Sequence, residues 1–336
     1  MSGVRENIDD FYKNMYQLMM FSKDSEIKSF TNDGAKSQSQ RSCDFFLEMV
    51  NPNQGARILE AGAGKGFFMG HLQDKRPDLE LHAFEPGKAY EILKEKLPDV
   101  EIERCDYTEY QKDEGTYDVV LSLGVLEHVQ NPLDMLKWKR ALLKEGGICF
   151  IRVPDFTKNP NDVFTVDHLS KLTPESIRNL ASRAGFSVKD IRHMGVAVHA
   201  ALIADREPVS NPYNPVSENQ DIVHKNEEFA RAAMSAIENA RESAKRDGSQ
   251  WAIFGLAASG LFAPFYLGFP PDEIAAYLDD NDSIWGNSIH GRPIQGPQKI
   301  PELGIKHVAL VISPVYFEKV RPRIEEIGAK VHLPEV

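Results

Sequence analysis

Cysteine is scarce: Cys43, Cys105 and Cys149 are the only three in 336 residues. Their number is odd and their spacing far too wide for a zinc knuckle. Neither a disulfide framework nor a metal centre is expected, and reduced thiols point to a cytoplasmic compartment. Basic charge is short as well, with 39 Lys and Arg against 50 Asp and Glu, a formal net charge of −11. Nucleic acid is held through Lys and Arg on phosphates, so this balance argues against it as a partner, and also against docking on anionic membranes. Secretory character is missing from Met1 to Ser22, where Arg5, Glu6, Asp9, Asp10 and Lys13 interrupt the apolar residues. Long apolar runs come down to one, Trp251 to Phe269, uncharged and long enough to span a bilayer. Gly255, Gly260, Pro264 and Gly268 break it, and Pro270-Pro271-Asp272-Glu273 close it. A buried strand, a tight turn and a helix start are expected there, not a span. What remains, 42% hydrophobic and 26% charged residues, suits a globular chain with cores for two domains.

The most informative stretch is Arg57 to Phe67, reading RILEAGAGKGF. An apolar strand enters a glycine-rich turn, and a helix-like segment follows at Phe68 to Leu72. Glycine has no side chain and accepts positive φ, so such a turn lets a ligand approach bare backbone. A dinucleotide fingerprint needs a third glycine at position 67, which is Phe. The turn also opens with Glu60, whose carboxylate repels a pyrophosphate and attracts a cation. S-adenosylmethionine, with its ammonium and sulfonium, is the ligand this chemistry favours. Two more strands end in acids. Leu79 to Phe84 reaches Glu85 and Pro86, where a carboxylate can grip ribose hydroxyls, and Glu101 to Cys105 reaches Asp106 and Tyr107, placed for an adenine amine. A fourth strand, Tyr117 to Leu123, leads into Leu126-Glu127-His128-Val129.

These motifs, in this order, closely resemble the class I S-adenosylmethionine-dependent methyltransferases over roughly residues 40 to 205. The resemblance implies a seven-stranded Rossmann-like α/β sheet and S-adenosylmethionine as cofactor. Its cofactor residues would be Glu60, Gly62, Gly64, Gly66, Glu85, Pro86, Asp106, Tyr107 and Leu123.

Four parts are expected: an N-terminal helical segment over 1–50, the cofactor-binding domain over 51–205, a linker over 206–225, and a smaller domain over 226–336. Phe11, Met15, Leu18 and Met19 recur at helical spacing, and the polar stretch Lys23 to Arg41 would serve as a lid. Asn131-Pro132 and Thr173-Pro174 read as helix starts. Strands near Ile148 to Val153, Phe186 to Arg192 and Val196 to Ala204 would complete the sheet. Pro208, Pro212 and Pro215 mark the linker, and a charged helix is expected over Asn226 to Lys245. Beyond it, strands are expected at Trp251 to Gly255, Ile274 to Asp280 and Val308 to Ile312. A helix over Phe317 to Ile327 and a short strand from Lys330 to Leu333 end the pattern.

The tail carries the turn Gly255 to Gly260, Leu278-Asp279-Asp280-Asn281, Trp285-Gly286 and His290 to Ile294. It resembles the C-terminal, Rossmann-like domain of sugar C-methyltransferases acting on nucleotide-linked deoxysugars, which implies such a sugar as the small-molecule substrate. Two features depart from that family: Ala257 replaces the middle glycine of a dinucleotide turn, and no four-cysteine zinc domain is present. The alternatives are O- or N-methylation of another small metabolite, with the tail kept for packing or for a homo-oligomer, and a protein that binds S-adenosylmethionine or a nucleotide without turnover.

Methyl transfer from a sulfonium asks the protein to align the acceptor and often to remove its proton. Beyond strands four and five the chain offers Glu127, His128, Arg152, Asp155, Asp167 and His168. In the sugar C-methyltransferases the base lies in a segment like Val166 to Thr173, with Glu where this chain has Asp167. That makes His168 the expected base, oriented by Asp167, with His128 next. The alternative for His168 is a structural hydrogen bond before the Thr173 helix. For His128 it is a cofactor-side or packing role, and for Arg152 either a phosphate clamp or a surface ion pair.

Overall fold

The computed structural model describes residues 26, 28–31, 34–165, 167–208 and 218–335. The helix expected from Phe11, Met15, Leu18 and Met19 lies outside them, as do residues 209–217 of the linker. The described part of the polar stretch 23–41 forms two short strands, β1 (Lys28–Thr31) and β2 (Gly34–Ser37), and the first turn of α1 (Gln38–Met49).

The chain folds as two compact units. Among the described residues, the first takes in those within 26–29, 36–155 and 167–208, the second those within 30–35, 156–165 and 218–335. The division is not the simple one expected at 205. The chain leaves the first unit at Phe156 and returns to it at Asp167.

In the first unit the strands are β3 (Arg57–Ala61), β4 (Glu80–Phe84), β5 (Glu101–Glu103), β6 (Tyr117–Leu123), β7 (Leu143–Pro154), β8 (Ser187–Met194) and β9 (Ala197–Ile203). They form one seven-stranded sheet in the order β5-β4-β3-β6-β7-β9-β8. Only β9 runs antiparallel to its neighbours, β7 and β8. Residues along β6 alternate between two cores. Val120 joins one with Leu59 and Ile151, while Val119 and Leu121 join the other with Ile58 and Phe150. A strand buried on both faces is what helices on both faces of a parallel sheet produce. Those helices are α1, α2 (Phe67–Lys75), α3 (Ala89–Lys96), α4 (Pro132–Leu142) and α5 (Pro174–Arg183). Asn131 caps α4 by accepting from Leu133 and Asp134 N–H, and Thr173 with Ser176 forms a capping box on α5. Ala61 pairs with Phe84, Phe84 with Glu103, and Leu123 with Arg152. The carboxyl ends of these strands therefore share one sheet edge, where ligands bind in open parallel sheets.

The second unit holds α6 (Glu218–Asp247), β10 (Gln250–Phe254), α7 (Ala258–Leu267), β11 (Ala276–Leu278), β12 (Ser288–Ile289), β13 (Arg292–Gln295), β14 (Ile305–Leu310), α8 (Phe317–Glu326) and β15 (Lys330–His332). Its six-stranded sheet runs β12-β13-β11-β10-β14-β15, parallel except for the β12–β13 hairpin. That hairpin was not expected. His290 (φ 53°) and Gly291 (φ 73°) turn it, both in the left-handed region that tight hairpins need. The strand expected over 274–280 shortens to β11, which follows a 3₁₀ turn at Pro271–Glu273. The apolar run 251–269 is β10, a turn and α7, and among the described residues no helix is long and apolar enough to cross a membrane. Phe156–Val166 is tied into this unit by polar bonds. Asn161 donates to Val311 O (3.2 Å) and accepts from Ser259 Oγ (2.6 Å), Ser313 donates to Lys158 O (2.8 Å), and Asn226 donates to Phe156 O (2.8 Å).

Candidate cofactor and acceptor site

The glycine turn follows β3 and is pinned to β4, since Gly62 and Ala63 N–H both donate to Phe84 O at 3.0 Å. Its glycines serve different ends. A Cβ on Gly66 (φ +76°) would stand 2.5 Å from Leu93, so packing excludes a side chain there. A Cβ on Gly64 (φ +53°) would meet nothing within 4 Å. Open space over bare backbone is what a ligand approaching this turn requires.

Glu85 lies across that space. Its Oε2 accepts from Gly64 N–H and its Oε1 from Gly87 N–H, both at 2.8 Å. Burial raises its pKa, and these two donors oppose the rise. Each oxygen keeps a lone pair for a hydroxyl, so the geometry fits the ribose role. Glu60, 2% exposed, has an Oε2 with no hydrogen-bond partner. Burial, and then the charge of Glu85, push its pKa well above the usual carboxylate range. A buried acceptor left unsatisfied at the mouth of the turn suits a cationic ligand group. Asp106 accepts from Thr108 N–H and Oγ–H (2.9 Å each), an Asx turn that fixes the loop after β5. Tyr107 stacks edge-on to Trp138 at 5.7 Å beside it. Pro86 sits between Glu85 and the Gly87 donor, and Leu123 ends β6 opposite Arg152.

Beneath this lies a group that sequence reasoning did not single out. Lys139 of α4, fully buried, donates to Ser122 Oγ at 2.5 Å, and burial drives its pKa down to about 8. Lysine in the last turn of an amphipathic helix ordinarily reads as solvated. Only tertiary packing shows it inside the sheet.

Two loops meet beyond β6 and β7. Ser170 N–H donates to Glu127 O at 3.1 Å, and His128 Nδ1 lies 3.1 Å from Asp167 O and 3.5 Å from Asp167 Oδ2. A carbonyl only accepts, so Nδ1 carries the proton and the neutral ring's lone pair is on Nε2. The His128 and His168 rings stand 4.6 Å apart, edge to face. One ligand-type atom from each of Glu127, His128 and His168 falls within 4.8 Å of the others. The structure thus joins His128 to His168, adds Glu127, and gives Asp167 a contact with His128. Arg152 comes to the same edge. Its Nη1 and Glu127 Oε1 lie 3.8 and 3.7 Å from where a Gly124 Cβ would stand. Asp155 is set apart on His193 Nε2 at 2.9 Å.

Residues 35–191 match the family model described as a methyltransferase domain. These residues carry a methyltransferase domain. Its cofactor is S-adenosylmethionine, which agrees with the turn and the strand-end acids. A probable S-adenosylmethionine-dependent methyltransferase of Mycolicibacterium smegmatis is 26% identical over 164 residues, 48% of this chain and 62% of that protein. A ubiquinone biosynthesis O-methyltransferase of Vibrio parahaemolyticus is 29% identical over 119 residues, 32% of this chain and 47% of the relative. A tRNA U34 carboxymethyltransferase of Syntrophotalea carbinolica is 32% identical over 102 residues, 29% of this chain and 31% of the relative. The chain therefore spans between 31% and 62% of these relatives' own lengths.

Proposed function

We propose that the protein methylates a hydroxyl of a small acceptor, and that a nucleotide-linked sugar is its acceptor class. The observation that carries the reading is the convergence of Glu127, His128 and His168 at the strand edge that also carries the glycine turn. Bound S-adenosylmethionine supplies an electrophilic methyl carbon on a sulfonium. The chain's own residues then have two tasks. Gly64 and Glu85 hold the adenosine side, with Glu60 facing the cationic end. The histidine pair receives the acceptor and activates its hydroxyl, His128 being held in one tautomer by the Asp167 carbonyl. The sugar part of the reading rests on the second unit. There a β–turn–α segment (β10, Gly255 at φ +99°, α7) is followed by Asp279 at the end of β11. Burial raises the Asp279 pKa to about 6. A strand-end acid after such a turn is the arrangement that meets a nucleotide ribose.

The test is turnover. Purified protein incubated with S-adenosylmethionine and a panel of nucleoside diphosphate sugars should release S-adenosylhomocysteine with some members and not with the bare sugars. His168→Asn should lower that rate by roughly 10²–10⁴-fold, the usual worth of an activating group, with cofactor affinity near wild type. Turnover within a few-fold of normal would remove His168 from the chemistry.

A further inference from the structure

We infer that Glu127, His128 and His168 form a binding site for one divalent transition-metal ion, which holds and acidifies the acceptor hydroxyl. The inference rests on the methyltransferase reading for the role of the ion, but not for its binding. No cysteine contributes, so no metal signature is legible in the sequence, and no metal was expected.

Four observations point to a ligand here. First, the three donor atoms already lie within 4.8 Å of one another. Ligand bonds of roughly 2.0–2.2 Å set donor atoms about 3–4 Å apart, so small side-chain rotations close the set. Secondly, Glu127 is 3% exposed, and its Oε2 has no hydrogen-bond partner. An ionised oxygen buried without a donor is costly unless a cation meets it. Oε1 falls on the Gly124 side with Arg152 Nη1, which leaves Oε2 for the ion. Thirdly, His128 Nδ1–H donates to the Asp167 carbonyl, which puts the ring's lone pair on Nε2. A ligating histidine commonly donates its other nitrogen to a carbonyl in this way, which fixes ring and tautomer. Fourthly, the two loops are locked to each other by Ser170 N–H on Glu127 O, so the ligands from distant parts of the sequence are held before any ion arrives.

The donor set selects the ion. Two imidazoles and one carboxylate suit manganese, iron, cobalt or zinc in the divalent state, whereas magnesium and calcium favour oxygen ligands throughout. Three protein ligands leave positions open for the acceptor. A hydroxyl held there loses its proton to water more readily. The oxygen's electron pair then forms the bond to the methyl carbon as the carbon–sulfur bond breaks. The pair of the broken carbon–sulfur bond stays on sulfur and leaves neutral S-adenosylhomocysteine. Both histidines thereby act as ligands, and the proton leaves to solvent.

The experiment uses the full chain, freed of any affinity tag and stripped with a chelator. Titration with cobalt(II) should give about one ion per chain by elemental analysis and calorimetry, with visible absorption bands of nitrogen and oxygen ligation. Glu127→Gln and His168→Ala should each weaken binding by at least about 10-fold. Retained S-adenosylhomocysteine affinity would show that the variants are folded. Should both unfold, His128→Ala with the same two readouts replaces them. No stoichiometric ion in the parent protein, or equal affinity in folded variants, overturns the site. Full turnover by chelated, ion-free protein overturns the role of the ion and leaves the methyltransferase reading standing. Ion binding lost in the variants, but no turnover with any acceptor, supports the site and faults the acceptor reading.

Discussion

At the scale of single residues, Glu60 changes the electrostatic picture drawn from sequence. Read from the sequence, it is a fixed negative charge that attracts the cofactor's cationic end. In the folded protein, burial and the nearby Glu85 raise its pKa well above the usual range, so it keeps its proton into more alkaline solution. A cation binding beside it favours the ionised form. Cofactor binding should therefore release a proton, and affinity should climb with pH until Glu60 titrates in the free protein, then level off. Calorimetry in two buffers of different ionisation enthalpy measures that proton directly. Identical heats in both would show that the cation is not met by Glu60. The same shift bears on stability. A carboxyl with a raised folded pKa favours folding below its unfolded value, and that contribution is lost as pH rises through the folded pKa. Glu60→Gln should accordingly raise the melting temperature more at pH 8 than at pH 5, while weakening cofactor binding. Glu85→Ala should weaken binding too. It removes both the ribose acceptor and the tie between Gly64 and Gly87, and unchanged affinity by calorimetry would end the assignment.

Among the elements, those with local signatures were legible and those built by tertiary contact were not. Asn131 and Thr173 announce their helices because a cap satisfies orphan N–H groups within the same few residues. The strand-end acids and the glycine turn were legible for the same reason. The β12–β13 hairpin was missed, because its strands are only 2 and 4 residues long and its first turn position is His290 rather than glycine. Glu127, His128 and His168 were legible as candidates beyond the same strand ends, but not their mutual approach, because they lie on two loops that only the sheet brings together. Two substitutions test the local devices. Gly66→Ala places a Cβ 2.5 Å from Leu93 at a φ of +76° and should destabilise by about 1–3 kcal/mol. Thr173→Ala removes the cap of α5 at a cost of about 1 kcal/mol. It also loosens the loop that carries His168, so turnover should fall while cofactor affinity holds. A melting curve and a turnover assay on each variant decide both.

For the whole molecule, the excursion of Phe156–Val166 governs how the two units can be separated. A domain boundary after Ala204 suggests a simple truncation that keeps cofactor binding and loses methyl transfer. The fold argues for a harsher outcome. Ending the chain near Ala204 deletes Asn226, Ser259, Val311 and Ser313, the partners of Phe156, Asn161 and Lys158. Phe156, Asn161 and Asp162 are buried in the full chain, and each would be left exposed or with unmet polar atoms. The damage falls where function is proposed, because Asp167 and His168 follow directly on this segment. The truncated protein should therefore melt well below the first transition of the full chain, or aggregate, with its cofactor affinity reduced. Asn161→Ala in the full chain gives the milder version of the same loss. It breaks the bonds to Ser259 and Val311, should cost about 1–3 kcal/mol as a buried network member, and should couple non-additively with Ser259→Ala. If the truncated chain melts and binds cofactor like the full protein, and Asn161→Ala and Ser259→Ala add independently, the excursion is not held by the second unit, and a boundary after Ala204 would be sufficient.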